Sequence, residues 1–392
     1  MNPSPPALWR FVATCPEETK EALLAELSAL GAYDLTPRFR AVGFAAPPAL
    51  GYVAHLKLRT ASRVLRVLRE VPAGNPPMLR SQVRRIRWSD LFEPTRGFMV
   101  EALGAEGRQA TMPPLQVITQ VREGIREAFT AAGGAVPPVD RDEPKVVVVA
   151  HLERGRCTLC LDTSGKSLHK RGYRESGHPA PLKETLAAAL LHYAGYDGNQ
   201  AFLDPMCGSG TLAIEAAMMA IRKAPQIHRA KGGFGFEWLR DFDRPLWRET
   251  QEQVRAEKLE IAPAPVMASD IEPRFVDMAR KSALAARVER YMTFATGPFQ
   301  AIEPPAPDGV LVTNLPYGER IGGGMADLAQ LYGEIGDTLK QRFAGWRAAL
   351  LAADDSPWKA IGLKPSRTLP LMNGSIPCRL LVFELYAGSR RR

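Results

Sequence analysis

The spacing of hydrophobic and polar positions changes near the middle of the chain. In the first part the apolar stretches are short and of mixed period. Leu23, Leu24, Leu27 and Leu30 form a helical stripe. Thr14 as an N-cap, Pro16 in the first turn and the acidic pair Glu17 and Glu18 open that helix, and Gly31 closes it. Residues 41–44 read as a strand. Residues 60–71 are predicted as a second helix, with Val64, Leu65, Val67 and Leu68 inward and Arg59, Arg63, Arg66 and Arg69 outward. A strand over 97–102 and an amphipathic helix over 115–132, through Val117, Val121, Ile125 and Phe129, follow. Strands over 145–151 and 156–162 complete a half of α+β character.

Beyond residue 165 the pattern becomes regular. A basic stretch over 167–174 reads as a linker, and a helix is expected over 181–194. Strands at 201–204, 266–270, 291–295, 309–314 and 346–352 then alternate with helices at 212–221, 273–288 and 325–343. Such alternation predicts an α/β fold with a parallel sheet covered by helices, which binds ligands at the carboxyl ends of its strands. A last strand over 379–386 is expected at the sheet edge.

Composition narrows the class. A length of 392 residues predicts two or three domains, and 45% hydrophobic with 24% charged residues are globular values. No apolar run nears the ~20 residues of a membrane helix, and residues 1–8 do not read as a signal peptide. Five scattered cysteines argue against a disulfide framework and for a reducing, cytoplasmic setting. Residues 1–180 carry 25 Lys and Arg against 18 Asp and Glu, whereas residues 181–392 carry 26 against 24. The basic first half suits an anionic partner such as nucleic acid; a solvated, arginine-rich surface is the alternative.

Three constellations carry chemistry. The first is Asp204-Pro-Met-Cys-Gly-Ser-Gly-Thr211, between a strand and a helix. Gly208 and Gly210 let backbone approach a ligand, and the helix N-terminus favours an anionic group. The spacing also fits a dinucleotide loop, but the acidic residue expected about 20 residues on is missing. Asp204 before the glycines suits an ammonium, so a methionine moiety, as in S-adenosylmethionine, fits better than a nicotinamide or flavin dinucleotide; a plain glycine-rich turn is the bland reading. The second is Asp270 with Ile271, at a strand end, where a carboxylate can accept ribose hydroxyls or cap the next helix. The third is Asn314-Leu-Pro-Tyr317. The Asn314 oxygen and a carbonyl of Leu315 or Pro316 can accept the hydrogens of an exocyclic base amine, and Tyr317 offers a ring for stacking a base drawn out of its helix.

Other features read as structural. Cys157-x-x-Cys160 lies in a strand, where an offset of three puts the thiols on opposite faces, so no zinc or other metal is expected. The aromatics Phe234, Phe236, Trp238, Phe242 and Trp247 are expected to pack, with base contact as the second reading.

At these residues the chain resembles class I S-adenosylmethionine-dependent methyltransferases: residues 204–211 look like motif I and residues 314–317 like motif IV. Leu168-His-Lys-Arg-Gly-Tyr-Arg174, Ala180-Pro-Leu-Lys-Glu184, Leu212-Ala-Ile-Glu-Ala-Ala217, Tyr317-Gly-Glu-Arg320 and Pro365-Ser-Arg367 are similar to THUMP-domain RNA guanine-N2 methyltransferases, above all the bacterial large-subunit rRNA methyltransferase L group. The resemblance implies a ferredoxin-like part over 1–55, a THUMP RNA-binding domain over 56–165 and a Rossmann-like methyltransferase domain with a mainly parallel seven-stranded sheet over 166–392. It implies S-adenosylmethionine held by Asp204, Met206, Cys207, Gly208, Ser209, Gly210, Asp270 and Ile271, and catalysis by Asn314, Pro316 and Tyr317 without a metal. The implied substrate is guanine N2 in 23S rRNA; tRNA guanine N2, rRNA adenine N6 and a non-catalytic RNA-binding protein are the alternatives. Two positions depart from the family: Leu315 replaces a proline, and Pro298 stands where an acidic residue often meets the cofactor's adenine.

Overall fold

Strands, more than helices, organise the first half of the chain. The computed structural model describes residues 8–104, 112–174, 182–317 and 324–386; the motif positions Ala180, Pro181, Gly318, Glu319 and Arg320 lie outside them. The first half contains β1 (Trp9–Thr14), α1 (Lys20–Ala29), β2 (Tyr33–Arg38), β3 (Ala41–Ala46), α2 (Pro48–Lys57), β4 (Arg63–Pro72), α3 (Pro76–Arg84), β5 (Phe98–Leu103), α4 (Pro114–Ala131), β6 (Val146–Glu153) and β7 (Arg156–Asp162). These strands form one sheet in the order β2-β3-β1-β4-β7-β6-β5.

The helix expected over 60–71 is instead β4. It lies between β1 and β7, antiparallel to both, so both of its backbone edges are hydrogen-bonded. Val64 joins the main core of this half and Leu65 a small cluster with Val149 and Cys160 on the opposite face. A run of branched residues buried on both sides satisfies period two as readily as 3.6, and tertiary pairing decided between them. Nor does Arg66 point to solvent: it is 6% exposed, stacks over Trp9 and pairs with Asp241 at 2.7 Å. Cys157 and Cys160 of β7 do lie on opposite faces, and burial pushes both thiols up to about 12.

The second half contains α5 (Glu184–Tyr193), β8 (Phe202–Asp204), α6 (Thr211–Ala220), α7 (Arg244–Ala256), β9 (Val266–Asp270), α8 (Pro273–Ala285), β10 (Thr293–Thr296), β11 (Gly309–Asn314), α9 (Met325–Arg342), β12 (Trp346–Ala353), β13 (Arg367–Asn373) and β14 (Ile376–Glu384). Its sheet, in the order β10-β9-β8-β11-β12-β14-β13, is mixed, which corrects the expectation of a mainly parallel one. β10 to β12 are parallel; β14 runs antiparallel to β12 and β13 antiparallel to β14. A two-residue turn, with Gly374 at φ +67, joins β13 to β14, whereas a parallel neighbour would need a long crossover. The last strand is therefore interior, and β13, which the pattern did not reveal, is the edge.

The stretch between α6 and β9 leaves the second half to pack on the first. Phe236 lies 4.9 Å from Tyr52 and 5.0 Å from His55, Trp247 lies 5.5 Å from Tyr52, and Phe234, Phe236 and Trp247 belong to the first half's core. The aromatics thus pack. A buried ionic group closes the same junction. Glu215 of α6, fully buried, takes the Arg171 guanidinium at 3.4 Å and the Tyr173 hydroxyl at 3.0 Å, with Arg59 at 3.9 Å. Arg59 donates to the Lys223 carbonyl (2.7 Å), and Arg171 to the Arg59 carbonyl (2.6 Å). The basic stretch 167–174 is thereby a structural lock rather than a loose linker. Among the described residues no helix is long and apolar enough to cross a membrane.

Candidate active site

The carboxyl ends of β8, β9 and β11, neighbours or near-neighbours in the sheet, bring the three constellations together. Asp204 ends β8, and its carboxylate accepts from Thr313 Oγ1 (2.8 Å) and the Met206 amide (3.3 Å). Burial raises its pKa to about 7, with the Asp270 carboxylate adding to the effect. Asp270 ends β9 and accepts from the amides of Gly208 (2.9 Å) and Glu272 (3.0 Å); burial raises it too. Neither carboxylate has a cationic partner among the described residues. Two buried anionic groups left unpaired are costly, and a ligand bearing positive charge would relieve both.

Between them the loop turns tightly, with Gly208 at φ +51 and Gly210 at φ +81. Gly210 has a second constraint: a Cβ there would come within 2.8 Å of Ala279 Cβ and 3.1 Å of its Cα. Its bare backbone thus serves helix packing against α8, not just ligand approach. The Cys207 amide donates to the Ser269 carbonyl (2.8 Å), pinning the loop to β9, and burial keeps the Cys207 thiol protonated. Ser209 is buried with its hydroxyl 3.4 Å from that of Thr211, Met206 packs partly buried beside the loop, and Ile271 is 64% exposed at the end of β9. Pro298 offers no acidic group beyond β10, and the neighbouring Gly297 amide is used by the Asp270 carbonyl (3.0 Å).

Asn314 ends β11 beside Thr313. Its Oδ1 is buried and has no hydrogen-bond partner among the described residues. Leu315 is fully buried, and its amide donates to the Leu351 carbonyl at 2.9 Å, a bond that proline could not make. The Pro316 carbonyl accepts from the Tyr332 hydroxyl at 3.0 Å, so of the two expected backbone acceptors it is already engaged. Tyr317 is 7% exposed and packs in the core of this half, and its hydroxyl accepts from Asn373 Nδ2 at 2.7 Å. Packing of the turn against β13, itself not foreseen, draws the ring inward. Thr313, Tyr332 and Asn373 are the supporting residues that sequence reasoning missed. Thr313 was readable as a polar residue in an apolar strand, whereas Tyr332 and Asn373 reach the turn from distant elements.

Family models match three consecutive stretches: an RlmL ferredoxin-like domain over residues 10–65, a THUMP domain over 75–162 and an RMKL-like methyltransferase domain (UPF0020) over 171–381. The chain is 37% identical to a Synechocystis protein named as a candidate RNA methyltransferase, over 93% of this chain and 94% of that one. It is 35% identical to the ribosomal RNA large subunit methyltransferase K/L of a Shewanella strain, over 97% of this chain but 53% of that one. The chain thus spans about half the length of the K/L relatives. The crystal structure of SMU.472, described as a candidate methyltransferase complexed with SAH, superposes with a TM-score of 0.84 at 26% identity, covering 98% of this chain and 99% of that one.

Proposed function

The chain belongs to the RMKL-like methyltransferase family with ferredoxin-like and THUMP domains before the catalytic one, and from that premise we propose that it methylates N2 of a guanine in large-subunit ribosomal RNA. The activity class is S-adenosylmethionine-dependent RNA methyltransfer. The base, the atom and the residue roles are this reading's own, as is the division at residues 55 and 165.

The observation that carries the reading is the buried, unpartnered Oδ1 of Asn314 at the strand end that also carries Thr313, the partner of Asp204. When bound, S-adenosylmethionine supplies an electrophilic methyl group on a sulfonium. Asp204 and Asp270 fit the positive charge and the ribose hydroxyls of such a ligand, and the exposed Ile271 fits a face of its adenine. Asn314 Oδ1 and the Leu315 carbonyl take the two hydrogens of the base amine. Held so, the amine nitrogen gains tetrahedral character and its lone pair is aimed; positioning and fixed dipoles then do the catalytic work. Tyr332 and Asn373 hold the turn in that shape.

The test is transfer of labelled methyl from S-adenosylmethionine into rRNA and tRNA of a strain lacking the gene, followed by nucleoside analysis. N2-methylguanosine in 23S rRNA is the expected product. N6-methyladenosine, or label in tRNA alone, would replace the substrate in this reading, and no label would leave an RNA-binding protein.

A further inference from the structure

At the end of the second sheet opposite the cofactor loop, three helices finish close together. The Leu259 amide, just past α7, donates to the Ile221 carbonyl at the end of α6 (2.9 Å), and Lys223 Nζ donates to the Ala286 carbonyl at the end of α8. Lys223, Arg255, Lys258 and Arg287 gather there around His228, and Arg222 stands next to Lys223 just past α6. Arg222, Arg255 and Arg287 are exposed, while Lys223 is 5% exposed. Among the described residues, Arg222, Lys223, Arg255 and Arg287 form no ion pair; Lys258 has a loose contact with Glu260 at 3.9 Å. Burial and then the neighbouring cations lower Lys223 to about 8 and His228 to about 4.

Helix C-termini favour cations, which is the ordinary explanation. Each supplies roughly half a negative charge, so three ends offset about 1.5 of five positive charges. Apart from the Lys258–Glu260 contact, the remainder has no ion-pair partner among the described residues. The backbone points the same way: Arg222 and Arg287 stand at φ +53 and +55, just past α6 and α8, where glycine would be unstrained. The patch also adjoins the first half, through Lys57 of α2, which pairs with Glu257.

We infer that this patch is a phosphodiester-binding site for the RNA substrate on the methyltransferase half, continuous with the basic first half. It rests on the RNA reading above. Exposed guanidiniums take phosphate oxygens in pairs, and the buried Lys223 supports them from below. The contact carries no sequence information; it anchors the RNA while the other end of the sheet does the chemistry.

The test uses the full chain and transcribed 23S rRNA, with the dissociation constant measured across a salt series. Arg255→Gln/Arg287→Gln should lower the log–log salt slope by about 1.5–2 and weaken binding to every RNA sequence alike. Calorimetric affinity for S-adenosylhomocysteine should stay at the wild-type value, since that site is at the other end. Arg255→Glu/Arg287→Glu should weaken RNA further. A wild-type slope in both variants overturns the inference, and with a lowered melting temperature it assigns the patch to helix capping alone. Wild-type protein that does not bind the transcript at all would instead defeat the RNA reading itself.

Discussion

The two ends of the methyltransferase sheet carry unpaired charge of opposite sign. At the carboxyl ends of the strands, Asp204 and Asp270 are buried without a cation, beside the N-termini of α6 and α8. At the other end, Arg222, Lys223, Arg255 and Arg287 form no ion pair among the described residues, beside the C-termini of α6, α7 and α8. Halfway between, on α6, Glu215 is paired on several sides and joins the two halves of the chain. Glu215 is matched within the protein and holds its two halves together, whereas the charges at the two ends lack an internal ion pair; the proposed partners are a cationic cofactor at one end and a polyanion at the other.

The largest expected effect tests the matched charge. Glu215→Ala leaves Arg59 and Arg171 uncompensated in the interior and should cost about 3–5 kcal/mol in urea unfolding. A loss within the range of a surface substitution would erase the contrast with the two ends. Next comes the orphaned acceptor. Asn314→Ala should lower single-turnover methyl transfer about 10²–10³-fold at saturating cofactor, the scale of one preorganised transition-state hydrogen bond. Undiminished transfer would place the amine elsewhere.

The unmatched carboxylates give the next two. Asp270→Ala should weaken S-adenosylhomocysteine by about 1.5–3 kcal/mol in calorimetry, as when hydrogen bonds to a charged group are lost. Asp204 sharpens this through pH. With its pKa near 7 in the free protein, its charge is present above that value and lost below it. Affinity for a ligand with an ammonium should thus be flat above pH 7 and fall about tenfold per unit beneath it, a step of ~1.4 kcal/mol each. Asp204→Asn should flatten the profile. The smallest effect concerns the departure at position 315. Leu315→Pro deletes the N–H hydrogen bond to the Leu351 carbonyl and should cost about 1 kcal/mol of stability in thermal unfolding; a stabilised variant would show the turn to be indifferent to that bond.

Motif chemistry was readable because it is local. Asp204, the glycines, Asp270 and Asn314 each sit at the end of an alternating strand, and chain order alone puts such ends on one side of a parallel sheet. The same logic gave most elements beyond residue 200. It failed at 60–71, where residues buried on both faces left helix and strand indistinguishable until β1 and β7 supplied hydrogen bonds. It failed at β13, whose mostly exposed positions give little alternation, and at α7, where the helical stripe of Trp247, Thr250 and Val254 was present but went unread beside the aromatic cluster.

The chain's own pattern determined the α/β alternation, the strand-end constellations and the basic character of the first half, because each follows from spacing within a few tens of residues. Net charge did not disclose the cationic patch: the second half balances 26 basic against 24 acidic residues. Only the tertiary structure separated those charges, drawing Lys223, Arg255 and Arg287 from three helix ends to one place and leaving Asp204 and Asp270 at the other. Which charges find partners is a matter of distance in space, where electrostatic energy falls with separation, and sequence position does not measure that distance.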